Sequence, residues 1–196
     1  MKIAATLFSI LTCLFMNAQP TNQLPFYEIP SAPNSYAAGN IVTRMVDGLG
    51  YRFYWASDSL TERDLAYQPS ESGKTCEETI VHIYELSVAI KNIAAGKISV
   101  RPYPKVNLSY EELRNNTLAN LFEARNGFLN KSESEIEALK VVFQNGEKRS
   151  EFPFWNFING QLSDVIYHTG QLVVFRRASG NPINPNVRVF SGVNAK

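Results

Sequence analysis

The chain has 196 residues, of which 44% are hydrophobic and 19% are charged, and its formal net charge is +1 at pH 7. This length suits one domain that buries its own core, and these fractions are those of a globular protein, which excludes disorder as the default. The charges are scattered, so the chain carries no electrostatic footprint for nucleic acid or an anionic membrane.

The first 18 residues have the pattern of a secretory signal peptide. Lys2 provides a positive charge, residues 3–15 are almost wholly apolar, and Ala18 precedes Gln19. This order predicts cleavage after Ala18 and an exported protein, periplasmic or secreted, that is not attached to a membrane afterwards. A retained anchor is the alternative, although the apolar stretch is shorter than the roughly 20 residues that span a bilayer.

Cleavage would remove Cys13 and leave Cys76 without a disulfide partner. Cys76 opens a predicted helix, where the helix dipole would favour a thiolate. The alternative interpretation is a small, unreactive residue near a helix start.

Residues 19–35 contain four prolines and predict an extended leader. Residues 36–196 form the predicted domain. Apolar residues recur there at helical spacing in four long stretches that are separated by turn-rich segments. These four helices are placed at about residues 36–59, 75–95, 109–130 and 153–179. Four such helices with apolar faces predict an all-α fold, a four-helix bundle.

Two pairs of residues have the spacing of a capping box, which starts a helix. Ser109 with Glu112 begins the third long helix, and Ser132 with Glu135 begins a short helix that runs to about Lys140.

The last helix has signals at both ends, since Pro153 suits a first turn and Gly180 suits the position after the end. Before it, an apolar run meets Asn145-Gly146, a hairpin turn signal, so at most a small two-stranded ribbon is expected there. The tail from residue 181 is expected to pack across the bundle.

The only two histidines lie on apolar helix stripes, each near a carboxylate. On the second predicted helix, His82 has Glu78 one turn before it and Glu85 three residues after it. On the fourth, His168 follows Asp164 by one turn. Gln161 and Gln171 flank the same face of the fourth helix.

Polar groups on a core stripe need partners, because an unpaired buried amide or hydroxyl costs on the order of 2 kcal/mol and a charge costs more. A divalent metal would meet that need, since imidazole nitrogen and carboxylate oxygen suit Zn²⁺, Fe²⁺, Ni²⁺ or Mn²⁺. His82, Asp164 and His168 would leave coordination positions for water or substrate. The alternative is a hydrogen-bonded structural network without metal.

Several short motifs of the chain resemble the DinB superfamily. Residues 60–69, with Pro69, followed by residues 79–83, with His82, look like its loop and second helix. The segment His168-Thr169-Gly170-Gln171-Leu172 resembles its fourth-helix signature, usually H-x-x-x-H-x-G-Q. Residues 155–160 through 180–182 look like an exported subgroup, and the resemblance covers roughly residues 36–192.

The resemblance implies a four-helix bundle that holds a divalent metal, commonly with three histidines. His82 matches the ligand of the second helix, and His168 matches the second ligand of the fourth. Asp164 stands where histidine is usual, which leaves the identity of the metal open, although a mycothiol-dependent isomerase group also has a carboxylate there. Residues that could orient the ligands or add a fourth are Glu78, Glu85, Gln161 and Gln171.

The resemblance also implies a metal-dependent enzyme that acts on a small molecule, the metal activating water or a substrate thiol for hydrolysis or group transfer. Arg176 could then receive an anionic substrate, or it could stabilise the last turn of its helix. A non-catalytic exported protein that binds a ligand or partner is the alternative function. A homodimer also stays open.

Overall fold

The computed structural model describes residues 23–105 and 107–195. The predicted signal peptide lies outside the described residues. Four helices of 17 to 19 residues dominate the described chain: α1 (Ala38–Ala56), α3 (Cys76–Ala94), α4 (Tyr110–Phe128) and α7 (Ser163–Ser179). Shorter helices are α2 (Glu62–Leu65), α5 (Glu133–Ala138) and α6 (Trp155–Phe157).

The long helices form a bundle in which α3 and α1 each pack against both α4 and α7. Their facing sides supply one continuous apolar core. Fully buried side chains from all four helices meet there, including Phe53, Ile83, Leu121 and Leu172. The predicted helical bundle is therefore confirmed, and it brings α3 and α7 into direct contact.

Side-chain caps fix where the helices begin. The capping boxes predicted at Ser109 and Ser132 are both present. Two more, at Thr61 before α2 and Thr75 before α3, were not predicted. Gly180 ends α7 with φ of +99°, the left-handed conformation that glycine adopts without steric cost. These caps mark the start of α3 and the end of α7.

A three-stranded sheet covers one side of the bundle, in the order β1 (Ser99–Arg101), β2 (Lys140–Asn145) and β3 (Lys148–Pro153). Strands β2 and β3 form the hairpin around Asn145-Gly146. The expectation of at most two strands was wrong, because β1 pairs with β2 in parallel across a long stretch of sequence. A pairing so distant along the chain leaves no local signal in a three-residue strand.

The start of the last helix also differs from expectation. Pro153 ends β3, so it is not in the first turn of that helix. Residues 158–162 between α6 and α7 form a π turn, and Gly160 within it has non-helical angles of φ −95° and ψ −108°. Gly160 thus breaks the helix, and the break ends just before the first turn of α7.

The segments outside the bundle pack onto it. Phe26 is buried and its ring meets Phe122 of α4 edge to face. In the tail, Asn194 accepts a hydrogen bond from Tyr51 of α1, as expected for a segment that packs across the bundle. Of the helices in the described part of the chain, none combines the length and apolar character needed to cross a membrane.

Cys76 occupies a buried position at the start of α3 and has no disulfide partner among the described residues. Burial raises the pKa of its thiol to about 12. The interpretation as a small, unreactive residue near a helix start therefore fits the structure, and a reactive thiolate does not.

Candidate metal site

The two histidines and Asp164 come together between α3 and α7, and we call these three residues the histidine cluster. His82 Nε2 lies 3.6 Å from one carboxylate oxygen of Asp164, and His168 Nε2 lies 3.2 Å from the other. The imidazole rings are nearly perpendicular, with centroids 4.7 Å apart. The packing of α3 on α7 thus joins groups that are more than 80 residues apart in sequence.

One ligand atom from each residue lies within 4.8 Å of the other two. Ligands around an ion with bonds of about 2.0–2.2 Å are separated by roughly 4 Å or less, so small side-chain rotations would close the set. The donors, two imidazole nitrogens and a carboxylate oxygen, are those that zinc and similar divalent metals prefer. The chain's own residues therefore fit a divalent metal.

The cluster lies at the edge of the bundle rather than in its centre. Side-chain exposure is 15% for His168, 28% for His82 and 44% for Asp164. The helical stripes suggested core positions, but these residues lie where the apolar stripe meets solvent. A metal held there would be accessible to water and to a small molecule.

The electrostatics favour neutral imidazole at His82. Burial lowers its pKa, and the positive charges of Lys74 and of a protonated His168 lower it further, while Asp164 and Glu85 act in the opposite direction. Neutral imidazole is the form that binds a metal. The neutral imidazole of His82 is thus available as a metal ligand near neutral pH.

Among the flanking residues, Gln171 has the clearest role. Its Oε1 lies 2.7 Å from His168 Nδ1. An Nδ1–H that donates to this oxygen fixes the tautomer in which Nε2, the nitrogen facing Asp164, has a free lone pair. Glu85 lies on the other side of the cluster, with a carboxylate oxygen 3.9 Å from His82 Nδ1.

The other two flanking residues are placed less directly. Glu78 accepts a hydrogen bond from the Thr75 backbone N–H and so caps α3. Gln161 is buried in the π turn, and its Oε1 has no hydrogen-bond partner within the described ranges.

Arg176 belongs to a different group of residues, which we call the arginine cluster: Asp64, Arg176, Ser179 and Asn181. Arg176 is only 4% exposed and donates to the backbone oxygens of Trp55, at 2.9 Å, and of Asn181, at 2.7 Å. This placement fits neither an anion-binding role nor an exposed charge on the last turn. Its signal in the sequence was its position four residues after buried Leu172, on the inner face of α7.

The carboxylate of Asp64 completes the arginine cluster. It accepts hydrogen bonds from the hydroxyl of Ser179, the amide of Asn181 and both the N–H and the hydroxyl of Thr61. Burial alone would raise the pKa of Asp64, but these bonds hold it well below its usual value. The polar groups of this cluster thus find their partners inside the protein, and the cluster joins α2 to α7.

Two surface grooves border the histidine cluster, and both include His82 and Glu85. One, of about 490 Å³, extends along α3 toward Lys74 and Asn107. The other, of about 400 Å³, extends toward β1 and the end of β2 and is bordered by Arg101. Sequence reasoning missed this second groove because three of its lining residues, Arg101, Pro102 and Tyr103, lie in a segment interpreted as a loop.

The fold resembles that of a solved DinB-like protein. The crystal structure of a DinB-like protein from Bacillus subtilis has a TM-score of 0.56 and 12% sequence identity to this chain, and the match covers 79% of this chain and 99% of that chain. No protein-family model and no curated protein matches the sequence. At 12% identity the likeness shows the fold alone. It confirms the expected DinB-like helical bundle and does not test the exported subgroup.

Proposed function

We propose that this protein is an exported, metal-dependent enzyme of the DinB-like type. In this proposal the four long helices form the superfamily's four-helix bundle, and His82, Asp164 and His168 hold one divalent ion, Zn²⁺, Ni²⁺, Fe²⁺ or Mn²⁺. The substrate is a small molecule. The reaction is hydrolysis or group transfer, in which a bound metal would activate water or a substrate thiol.

The observation that carries the proposal is the meeting of three suitable ligand atoms within 4.8 Å at an accessible edge of the bundle. A purely structural network would satisfy its donors and acceptors internally, as the arginine cluster does. In the histidine cluster one residue is almost half exposed and two grooves border the site. This combination supports a site that takes a ligand.

The chain's own residues have separable tasks in this proposal. Asp164 supplies negative charge between the two imidazoles, and Gln171 keeps the lone pair of His168 Nε2 directed at the cluster. Glu85 lies close enough to His82 Nδ1 to orient that ring or to accept a proton from a molecule in either groove.

The test is the metal content of three proteins: the wild type, Asp164→Ala and Asp164→His. After reconstitution with Zn²⁺ and dialysis against a weak chelator, the wild type and Asp164→His are expected to retain metal. Asp164→Ala loses one of three ligands, and its metal per chain should fall by roughly tenfold or more. Glu111→Ala, which removes an exposed carboxylate on α4, is the matched control and should match the wild type.

A wild-type protein that stays free of metal after reconstitution with each of the four ions would contradict the proposal. The second candidate, a non-catalytic ligand-binding bundle, would then be favoured. One observation already points to it: with a proton on each ring nitrogen, His168 would donate to both Gln171 and Asp164, and neither contact needs an ion. In that case Asp164→Ala and Asp164→His should both lower stability and neither should change metal content.

A further inference from the structure

The groove between His82 and the sheet has a polar lining that the metal proposal does not use. Besides His82 and Glu85, its polar residues are Arg101, Tyr103 and Asn145. Its volume of about 400 Å³ lies within the range of small-molecule sites, which is roughly 300–1,000 Å³. Because His82 borders it, a molecule in this groove would reach the histidine cluster.

Strand β1 places Arg101 in this groove. Arg101 is the last residue of β1, and the parallel register sets it beside Asn145, the last residue of β2. The guanidinium carbon lies 4.2 Å from the centroid of the Phe143 ring. Stacking on an aromatic ring restrains the guanidinium without using its N–H donors.

Two donors on this wall make no hydrogen bond of normal geometry. They are Arg101 Nε and the Tyr103 hydroxyl, both buried, and this holds among residues 23–105 and 107–195. The side chains of Arg101 and Ser99 lie close enough to the Tyr103 hydroxyl to lower its pKa, so Arg101 is the more clearly unpaired of the two. Within the same ranges, no carboxylate lies within 4.0 Å of the Arg101 guanidinium. Leaving a buried charged donor unpaired costs more than leaving a neutral one, so an oxyanion is the natural complement.

Tyr103 and Glu85 decide the charge preference of the groove. Burial raises the pKa of the Tyr103 phenol, and although Arg101 and Ser99 act in the opposite direction, the phenol stays protonated and able to donate at neutral pH. Glu85 is the acidic residue of the lining, and its carboxylate lies 3.9 Å from His82 Nδ1, a potential N–H donor. Arg101 and Tyr103 therefore offer donors to the groove. The carboxylate of Glu85 lies beside the imidazole of His82, and its charge also raises the pKa of Tyr103.

We propose that Arg101 and Tyr103 form an oxyanion subsite that holds the carboxylate or phosphate of a small substrate while its reacting end lies at the histidine cluster. The statement that the substrate reacts at the histidine cluster rests on the proposed function. The recognition of the anion depends only on the groove. Arg101 provides the charge and the paired N–H donors that planar oxyanions accept, and Tyr103 adds a hydroxyl donor.

The experiment measures dissociation constants for phenyl phosphate, benzoate and benzylamine by calorimetry, in metal-free and Zn²⁺-reconstituted protein. The two anionic probes distinguish a phosphate from a carboxylate, and benzylamine has the opposite charge. Arg101→Gln should weaken binding of the preferred anion by roughly tenfold or more, as expected for loss of a charged hydrogen bond. Tyr103→Phe, which removes only the hydroxyl, should weaken it less. Arg149→Gln is the control, because Arg149 is an exposed arginine of the same sheet.

Equal anion binding by wild type and Arg101→Gln would overturn the subsite, as would tighter binding of benzylamine than of either anion. Zn²⁺ per chain should be the same in Arg101→Gln and wild type, so the two proposals fail separately. A wild type that binds anion through Arg101 but never retains metal would contradict the metal-dependent function and leave the subsite standing. A wild type that retains metal but binds neither anion would contradict the subsite and leave the metal-dependent function standing.

Discussion

Helix α7 carries two polar clusters of opposite character, one at each end. The arginine cluster, at its C-terminal end, is buried, and the carboxylate of Asp64 alone accepts four hydrogen bonds. The histidine cluster, at its N-terminal end, is partly exposed, and its two Asp164 contacts, at 3.2 and 3.6 Å, join groups that could also bind an ion. One helix thus carries a buried, internally paired cluster at one end and a partly exposed cluster at the other.

The two clusters differ in how many of their polar groups have hydrogen-bond partners within the cluster. A buried polar group needs a partner within the fold, so a saturated cluster stabilises one arrangement of the chain. A group at the edge can leave part of its bonding capacity to a ligand. Arg176 is an example of the first case and Asp164 of the second. On charge alone, either residue could have been assigned to a functional site.

The largest effect is expected from Arg176→Met. The change leaves the backbone oxygens of Trp55 and Ala56 without their donor and removes the positive charge that lies near Asp64, so it should lower the free energy of unfolding by about 3–5 kcal/mol. Chemical denaturation measures this loss. Arg177→Met, at the exposed neighbouring position, should cost less than about 0.5 kcal/mol. Metal per folded chain should be unchanged in both, and a metal loss specific to Arg176→Met would mean that the two clusters are coupled.

A smaller effect, with a distinct pH dependence, is expected from Asp64→Asn. Near neutral pH it should cost about 2–3 kcal/mol, because hydrogen bonds to a buried carboxylate are lost. The pKa of Asp64 in the folded protein lies below the ordinary value of 3.8. Its contribution to stability is therefore complete well above pH 3.8 and is lost as the pH falls below that value.

Denaturation of wild type and Asp64→Asn from pH 7 down to pH 3 checks this. The difference between the two should shrink only at the acidic end. Glu62→Gln removes an exposed carboxylate from the same short helix and should show no comparable slope. A difference that stays constant down to pH 3 would mean that the contribution of Asp64 to stability does not depend on its charge.

The smallest of the three effects on the fold is expected from Gln171→Leu. It removes the acceptor that fixes the His168 ring, so metal affinity should fall by roughly 10–100-fold. The stability of the metal-free protein should change little, because Gln171 is only partly buried. Competition with a chromogenic chelator measures the affinity. An affinity equal to that of wild type would show that His168 is oriented by other contacts.

The histidine cluster could be predicted from the sequence because its information is local to two helices. Helical spacing puts Asp164 and His168 on adjacent turns, and the stripe around His82 orients it inward. The resemblance to a known superfamily then indicated that the two helices face each other. Exposure was harder to predict, since spacing gives a direction around the helix but not the distance from the edge of the bundle.

Arg101 shows why the rest could not be predicted. It lies between β-branched and proline residues in a segment that is interpreted as a loop, and β1 exists only because β2 offers it a partner about 40 residues later. Such pairing is a property of the folded chain and is absent from any short window. Arg176, by contrast, lay on the inner stripe of α7, and that position was a sufficient signal.

The π turn before α7 has a consequence for the comparison of related sequences. Phe157 and Leu162 are five residues apart, a spacing that an α-helix would turn to different sides, yet both are fully buried. Gly160, whose backbone angles are not helical, breaks the helix between them, so the residues before and after the break do not share one helical register. A relative with an uninterrupted helix here would need a gap between these two positions. Without that gap, an alignment that pairs the aromatic residues correctly would shift Asp164 and His168 out of place and hide the cluster.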